Sequence, residues 1–262
     1  MNKPKLVLFD IDGTLLNDRH AIPDSTKAAV RVLQESGIQT AIATGRSPSH
    51  FEWIREELNI DSYVSINGQY VVHKGRPIYE NPISIELLRN FAAYAESTGH
   101  VTAYCGSGEI RVSTAAHPLI QAGFSSVNLP YPIVDPLYYE QDPVYQGNLF
   151  IPVAHQALYE AQFPELRFIR WHDEAVDFLP MGCSKAAGIP YLLAAAGVDA
   201  SECAAFGDGL NDVEMLTFVG LGIAMGNGVR EAKEAAKHVT ASSSEDGIWA
   251  ALHLLGIPQP TA

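Results

Sequence analysis

Carboxylates recur in this sequence just where an apolar run has ended. The first group is Asp10-Ile11-Asp12-Gly13-Thr14, directly after Leu6-Val7-Leu8-Phe9. An Asp is ionised at neutral pH, with a reference pKa of about 3.9, so Asp10 is available as a nucleophile or a metal ligand. A second carboxylate two residues on, Asp12, can shuttle a proton or hold a metal. Gly13 lets the chain turn sharply and brings backbone N–H groups toward an anion. The same stretch also reads as an Asp-Gly turn with solvated side chains. The second group, Gly207-Asp208-Gly209-Leu210-Asn211-Asp212, follows Cys203-Ala204-Ala205-Phe206. Asp208 and Asp212 are four residues apart and can line one side of a strand-to-helix turn, offering hard oxygen ligands of the kind Mg2+ takes. A calcium loop fits less well, because it needs regularly alternating oxygen ligands and a terminal Glu.

Two weaker signals accompany these. Thr44-Gly45-Arg46 also follows an apolar run, and a hydroxyl with backbone N–H groups at a helix start can bind phosphate. As a three-letter pattern it reads equally as an ordinary loop. Lys185, beside Ser184 at a predicted helix start, reads on its own as a surface charge.

The elements that must carry these residues are legible. Leu6–Phe9, Ile38–Ala43 and Tyr63–Ile66 are continuous apolar runs, the pattern of strands covered on both faces. Helical patterns lie between them, the first opening at Ile22-Pro23-Asp24-Ser25 and stopping at Gly37, the second starting at Ser47-Pro48. Alternating strands and helices predict a doubly wound α/β sheet, which places ligands at the carboxyl ends of its strands. A hairpin pattern over residues 71–79 interrupts the rhythm. A helix over Ile85–Ser97 and short strand candidates follow, at Val101–Cys105, Glu109–Ser113, Tyr145–Ile151, Arg167–Trp171 and Ala175–Leu179. Prolines 130, 132, 136 and 143 blur the middle of this stretch. From Ser184 the α/β rhythm returns. The economical division is a Rossmann-like α/β core of residues 1–80 and 183–262, with an α+β cap of 81–182 inserted.

Composition bounds the function. The 262 residues are 47% hydrophobic and 18% charged, which is globular composition. The net charge of −13 speaks against nucleic acid or an anionic membrane as partner, since both need a basic face. Cys105, Cys183 and Cys203 are too few and too scattered for a disulfide framework and suit a reducing compartment. The N-terminal apolar run stops at Asp10, too soon for a secretory signal, so a cytoplasmic location is expected.

Taken in order, the four groups resemble the haloacid dehalogenase-like (HAD) hydrolase superfamily, across the whole chain. Finer details are similar to its Cof-type branch with a type IIB cap: Phe9-Asp10-Ile11-Asp12-Gly13-Thr14-Leu15, Ala43-Thr44-Gly45-Arg46, Asn67-Gly68, Lys185, the Gly207–Asp212 segment, and Gly222-Ile223-Ala224-Met225-Gly226-Asn227. Ala186 departs from the Gly that the branch often carries after its Lys. The resemblance implies a phosphatase of small phosphorylated metabolites, sugar phosphates or phosphorylated cofactors. Asp10 would attack phosphorus and Asp12 would act as acid and base. Mg2+ would be held by Asp10, the Asp12 carbonyl and Asp208, with Asp212 in support. Ile11, Thr44, Gly45, Lys185 and Asn211 would hold the phosphoryl oxygens. Arg46 would either face the leaving group or form a structural ion pair. Asn67 would line the cleft or merely turn a hairpin. A phosphomutase, or a non-catalytic protein that binds phosphorylated metabolites, is the alternative. A hinge near 80–82 and 180–184 would let the cap move.

Overall fold

The computed structural model describes residues 3–127 and 129–257. In chain order its strands are β1 (Leu6–Phe9), β2 (Gln39–Ala43), β3 (Tyr63–Ser65), β4 (Tyr70–His73), β5 (Arg76–Glu80), β6 (Val101–Cys105), β7 (Ile110–Val112), β8 (Ile133–Val134), β9 (Gln146–Phe150), β10 (Leu166–His172), β11 (Ala175–Pro180), β12 (Cys203–Gly207), β13 (Leu221–Ala224) and β14 (His238–Val239). The helices are α1 (Asp24–Glu35), α2 (Glu52–Leu58), α3 (Ile85–Ser97), α4 (Pro118–Ser126), α5 (Gln156–Gln162), α6 (Lys185–Ala196), α7 (Val213–Phe218), α8 (Arg230–Ala235) and α9 (Gly247–Ala250). The chain divides into two compact units. The first comprises 1–46, 50–80 and 184–262, and the second 47–49 and 81–183.

The first unit is built on an eight-stranded sheet of order β14-β13-β12-β1-β2-β3-β4-β5. From β14 to β3 the strands are parallel, and β4 and β5 run antiparallel. The predicted parallel sheet is therefore mixed. Only residues 66–69 join β3 to β4, too few for a crossover, so the chain returns antiparallel. The all-apolar β1 is buried on both faces. Leu6 and Leu8 pack with Ile189, Leu192, Met215 and Ala232 from α6, α7 and α8. Helices α1, α2 and α9 are neighbours elsewhere in this unit, with α1 against β2. The exposed edge strand β5 carries Arg76, Pro77 and Glu80, residues that discourage further pairing.

The parallel register sets the functional edge. Phe9 lies level with Ile42 of β2 and Phe206 of β12, and Gly207 lies level with Ala224 of β13. Asp10, Thr44, Asp208 and the segment after Ala224 therefore leave the sheet along one line, at its carboxyl edge.

The second unit is a six-stranded sheet of order β10-β11-β9-β6-β7-β8. One face packs on Leu88 and Phe91 of α3 and Tyr159 of α5, with Phe91 stacked 4.1 Å from Phe178. The other packs on Ile120 and Phe124 of α4. Strand β8 escaped the sequence reading because it has two residues, both exposed, in the proline-rich stretch. Cys105, Cys183 and Cys203 are buried and free. No helix among the described residues is long and apolar enough to cross a membrane.

The β3–β4 connection presses on the start of α6. Gly68 has φ +91°, and a Cβ there would lie 2.2 Å from the Ser184 carbonyl oxygen, while one on Gly188 would lie 2.8 Å from the Gly68 Cα. Gly37 also has positive φ (+77°) but faces open space. Gly68→Ala is therefore expected to lose about 2–5 kcal/mol in urea unfolding, from backbone strain plus overpacking, against about 1–2 kcal/mol for Gly37→Ala.

Candidate active site

Four segments meet at the carboxyl edge of the first unit's sheet. The first is the turn after β1, where Asp10 ends the strand and its N–H donates to the Phe206 carbonyl at 3.0 Å. Residues Ile11–Leu15 form one loose turn with Gly13 at φ +74°. Any other residue would be strained there, and its Cβ would fall 2.2 Å from the Asp208 Oδ2, displacing that carboxylate. Thr14, next in the turn, donates from Oγ1 to Asp208 Oδ1 at 3.0 Å.

The second is the loop Asp208–Asp212 after β12. Asp212 is fully buried, and its Oδ2 accepts the N–H groups of Asp208 and Gly209, both at 2.9 Å. Its other oxygen faces Lys185. Gly207 makes this loop possible, because a Cβ there would lie 2.6 Å from the Asp212 Cγ.

The third is the start of α6. Ser184 caps the helix, its Oγ accepting from the Ala187 N–H at 3.3 Å. Lys185 follows as the first helical residue, with no exposed side-chain surface. Its ammonium donates to Asp10 Oδ1 at 2.5 Å and to Asp212 Oδ1 at 2.7 Å. A cation at a helix N-terminus opposes the helix dipole. The two carboxylates outweigh this effect and the cost of burial, and hold the ammonium well above its ordinary pKa.

The fourth is the loop after β2. Thr44 is buried, its N–H donates to the Val64 carbonyl at 2.9 Å and its Oγ1 accepts the Arg46 N–H at 3.1 Å. Gly45 lies against Asn67, whose amide would be about 3.1 Å from a Cβ on Gly45. Asn67 turns the β3–β4 hairpin, the second of its two sequence readings, and also packs on this loop. Asn67 and the β-branched Ile66 both have φ +50°, a conformation rare for such residues. Backbone bonds retain it: Ile66 N–H donates to the Arg46 carbonyl and Asn67 N–H to the Thr44 carbonyl, both at 3.1 Å.

The sequence-predicted residues thus divide. Asp10, Lys185, Asp208 and Asp212 form one cluster, and Thr44, Gly45 and Asn67 form a second contact group. Ile11 is fully buried, and Asn211 stands exposed on the loop. Asp12 departs from the cluster. Its side chain is 53% exposed and is gripped by Arg46, with Nε on Oδ2 at 2.8 Å and Nη2 on Oδ1 at 2.5 Å. Of Arg46's two readings, the ion pair is the one present. Thr14 and Asn227 stood in the motifs quoted from the sequence, but without a role of their own. Asn227 donates from Nδ2 to the Gly13 carbonyl at 2.8 Å and toward Asp208 Oδ2 at 3.3 Å, and accepts the Ser243 N–H at 2.9 Å. Its signal was its place just past β13, at the same sheet edge.

Oxygens of Asp10, Asp208 and Asp212 all lie within 4.8 Å of one another. Three carboxylates against one ammonium leave two negative charges unbalanced in a largely buried place. Burial and then the charge of Asp212 push Asp10 well above the usual carboxylate range, although Lys185 pulls it down. Burial and Asp212 likewise push Asp208 to about 6, against the pull of the Thr14 hydroxyl and Lys185. Hard oxygen donors with this excess of charge fit a divalent cation. Asp10 and Asp208 present oxygens for it, and Asp212, already bonded to Lys185 and two backbone N–H groups, supports them. The Asp12 carboxylate is committed to Arg46, which leaves its backbone carbonyl for the expected metal role.

A family model described as haloacid dehalogenase-like hydrolase matches residues 7–252. The chain belongs to that family. It is 41% identical over 253 residues to YkrA of Bacillus subtilis (strain 168), named a candidate phosphatase, covering 97% of this chain and 98% of YkrA. The crystal structure of a hypothetical protein from Geobacillus kaustophilus HTA426 superimposes with TM-score 0.95 at 45% identity, covering 97% of this chain and 100% of that one. The HAD subclass IIB sugar phosphatase BT4131 superimposes with TM-score 0.82 at 30% identity, covering 97% and 100%. This HAD hydrolase is a phosphatase of the Cof type.

The raised carboxylates carry a pH dependence. A carboxyl whose pKa is higher in the folded chain than in the unfolded one holds its proton more tightly when folded, so ionising it costs stability. The metal-free protein is expected to lose stability as pH rises through the range from about 4 to about 6, the latter being the value for Asp208. A divalent cation competes with the same protons. Differential scanning fluorimetry with and without MgCl2 should show a larger increase in Tm at pH 7.5 than at pH 5, and Asp208→Asn should remove most of that increase.

Proposed function

We propose that this phosphatase hydrolyses small phosphorylated metabolites, sugar phosphates or phosphorylated cofactors, with Mg2+ and through an aspartyl-phosphate on Asp10. The observation that carries the reading is the Asp10 carboxylate, buried and fixed by Lys185 beside Asp208 and Asp212. Phosphoryl transfer to a carboxylate brings two anions together, so positioning and charge neutralisation make up most of the catalysis. Asp10, the Asp12 carbonyl and Asp208 would hold the Mg2+, which would supply neutralising charge.

Asp10 then attacks phosphorus with one carboxylate oxygen and the ester P–O bond breaks. Asp12 gives its proton to the departing alcohol oxygen. In the second half, Asp12 takes a proton from the attacking water, the acyl-phosphate P–O bond breaks, and inorganic phosphate leaves with Asp10 restored. Thr44, Gly45 N–H, Lys185 and Asn211 hold the phosphoryl oxygens, helped by the backbone N–H of Ile11. To the second unit, residues 81–183, we assign the choice of leaving group. The substrate class is supported by the likeness to a sugar phosphatase.

The test is a panel of sugar phosphates, cofactor phosphates and an aryl phosphate, assayed for phosphate release with Mg2+ and with EDTA. Asp10→Asn should lower turnover more than about 10³-fold and Asp12→Asn about 10²–10⁴-fold, with Tm near wild type. Full activity of Asp10→Asn would refute the covalent route, and no release from any member would refute the substrate class.

A further inference from the structure

Arg46 and Asp12 hold each other in an arrangement that the acid and base role of Asp12 does not use. The guanidinium engages both carboxylate oxygens side by side, at 2.8 and 2.5 Å, and its remaining nitrogen Nη1 donates to the His50 carbonyl at 3.3 Å. An Asp occupied in this way is turned to its partner and not to a leaving group. The backbone beneath is rigid. The Arg46 N–H is fixed on Thr44 Oγ1, and its carbonyl on the strained Ile66. The side chain alone is therefore free to change partner.

The buried cation of the site is not available to a ligand as it stands. Lys185 is fully buried, with its ammonium committed to Asp10 and Asp212. Arg46 is 28% exposed and springs from the Thr44-Gly45 loop, one of the segments that meet at the carboxyl edge. The guanidinium fork that fits a carboxylate fits two phosphate oxygens equally well, and a dianion attracts it more strongly than a carboxylate does.

We propose that Arg46 is an exchange residue. In the free enzyme it pairs with the Asp12 carboxylate, and on substrate arrival it transfers to the oxygens of the phosphoryl group, which frees Asp12 to take up a proton from water and to present it to the leaving-group oxygen. Binding of the correct anion is thereby coupled to arming of the acid. Without the anion Asp12 stays tied, and the two side chains act as one switch. This rests on the phosphatase reading above, and it makes Arg46 a positioning residue for Asp12 as well as a phosphate contact.

The test measures binding and not turnover. The dissociation constant of inorganic phosphate is determined by calorimetry, with Mg2+ and at fixed ionic strength, for wild type, Asp12→Asn, Arg46→Gln and the double variant. If Asp12 competes with phosphate for Arg46, Asp12→Asn tightens phosphate roughly fivefold, the size of a part-exposed ion pair. In the Arg46→Gln background the same change should move affinity less than about twofold, because a coupled pair is non-additive. Arg46→Lys, a point charge that cannot fork, should lie between. Equal tightening in both backgrounds would mean simple removal of a negative charge, and would overturn the exchange. Unaltered Tm in each variant confirms that the comparison is between folded proteins, and Arg46→Lys serves if Arg46→Gln does not fold. The phosphatase reading fails by a different signature, no phosphate release from any ester, whatever this cycle returns.

Discussion

One buried ammonium ties the first unit together. Lys185 reaches Asp10 at the end of β1 and Asp212 beyond β12 from the first residue of α6, with no exposed surface. Such a pair is costly to bury, and removing one partner from it typically costs about 3–5 kcal/mol. A fully apolar core would be more economical here. The charges persist because the same lysine that joins three segments also fixes the carboxylate proposed to react. Stability is spent where chemistry happens, so the remainder of the sheet must make it up through burial of β1 on both faces and the stacked Phe9–Phe206 pair.

Around that lysine the backbone approaches more closely than side chains allow. Gly13 faces Asp208, Gly207 faces Asp212, and Gly68 faces Ser184. Each contact lets a polar group stand where a Cβ would otherwise be. The cost appears next door as strain, with Ile66 and Asn67 in left-handed conformations. Both are held by backbone bonds to the Thr44–Arg46 loop, so the phosphate-binding candidate loop and the lysine helix are set by one rigid wedge.

Much of this was legible in the amino-acid order. Asp10 and Asp208 could be found because continuous apolar runs mark buried parallel strands, and parallel strands end on the same edge. Helix α3 matched its predicted span because Ser84 and Gly99 punctuate it. Lys185 was different. Alone it reads as a surface charge, and only the resemblance brought it to the carboxylates, since burial of an ion depends on partners 175 and 27 residues away. An ion pair of Arg46 was legible only as one of two alternatives and its partner Asp12 not at all, because a long side chain finds its partner by rotamer and not by spacing. Thr14 and Asn227 are uncharged, and nothing in their type announces that both serve Asp208. Strand β8 has too few residues to carry any period.

The strand order carries a consequence for how the chain is made. Of the described strands β1 leaves the ribosome before the others, and in the finished sheet it stands between β2 and β12. β2 follows soon, but β12 begins at Cys203, after the whole of 81–183 has been synthesised. Through that interval β1 presents an apolar edge, Leu-Val-Leu-Phe, with its backbone groups unpaired on one side. The second unit, continuous from 81 to 183 apart from residues 47–49, can complete its own sheet in the meantime. The first unit closes last, over long sequence separations, which is the slow and aggregation-exposed kind of pairing. Biogenesis of this protein is therefore most vulnerable at the very strand that bears its proposed nucleophile.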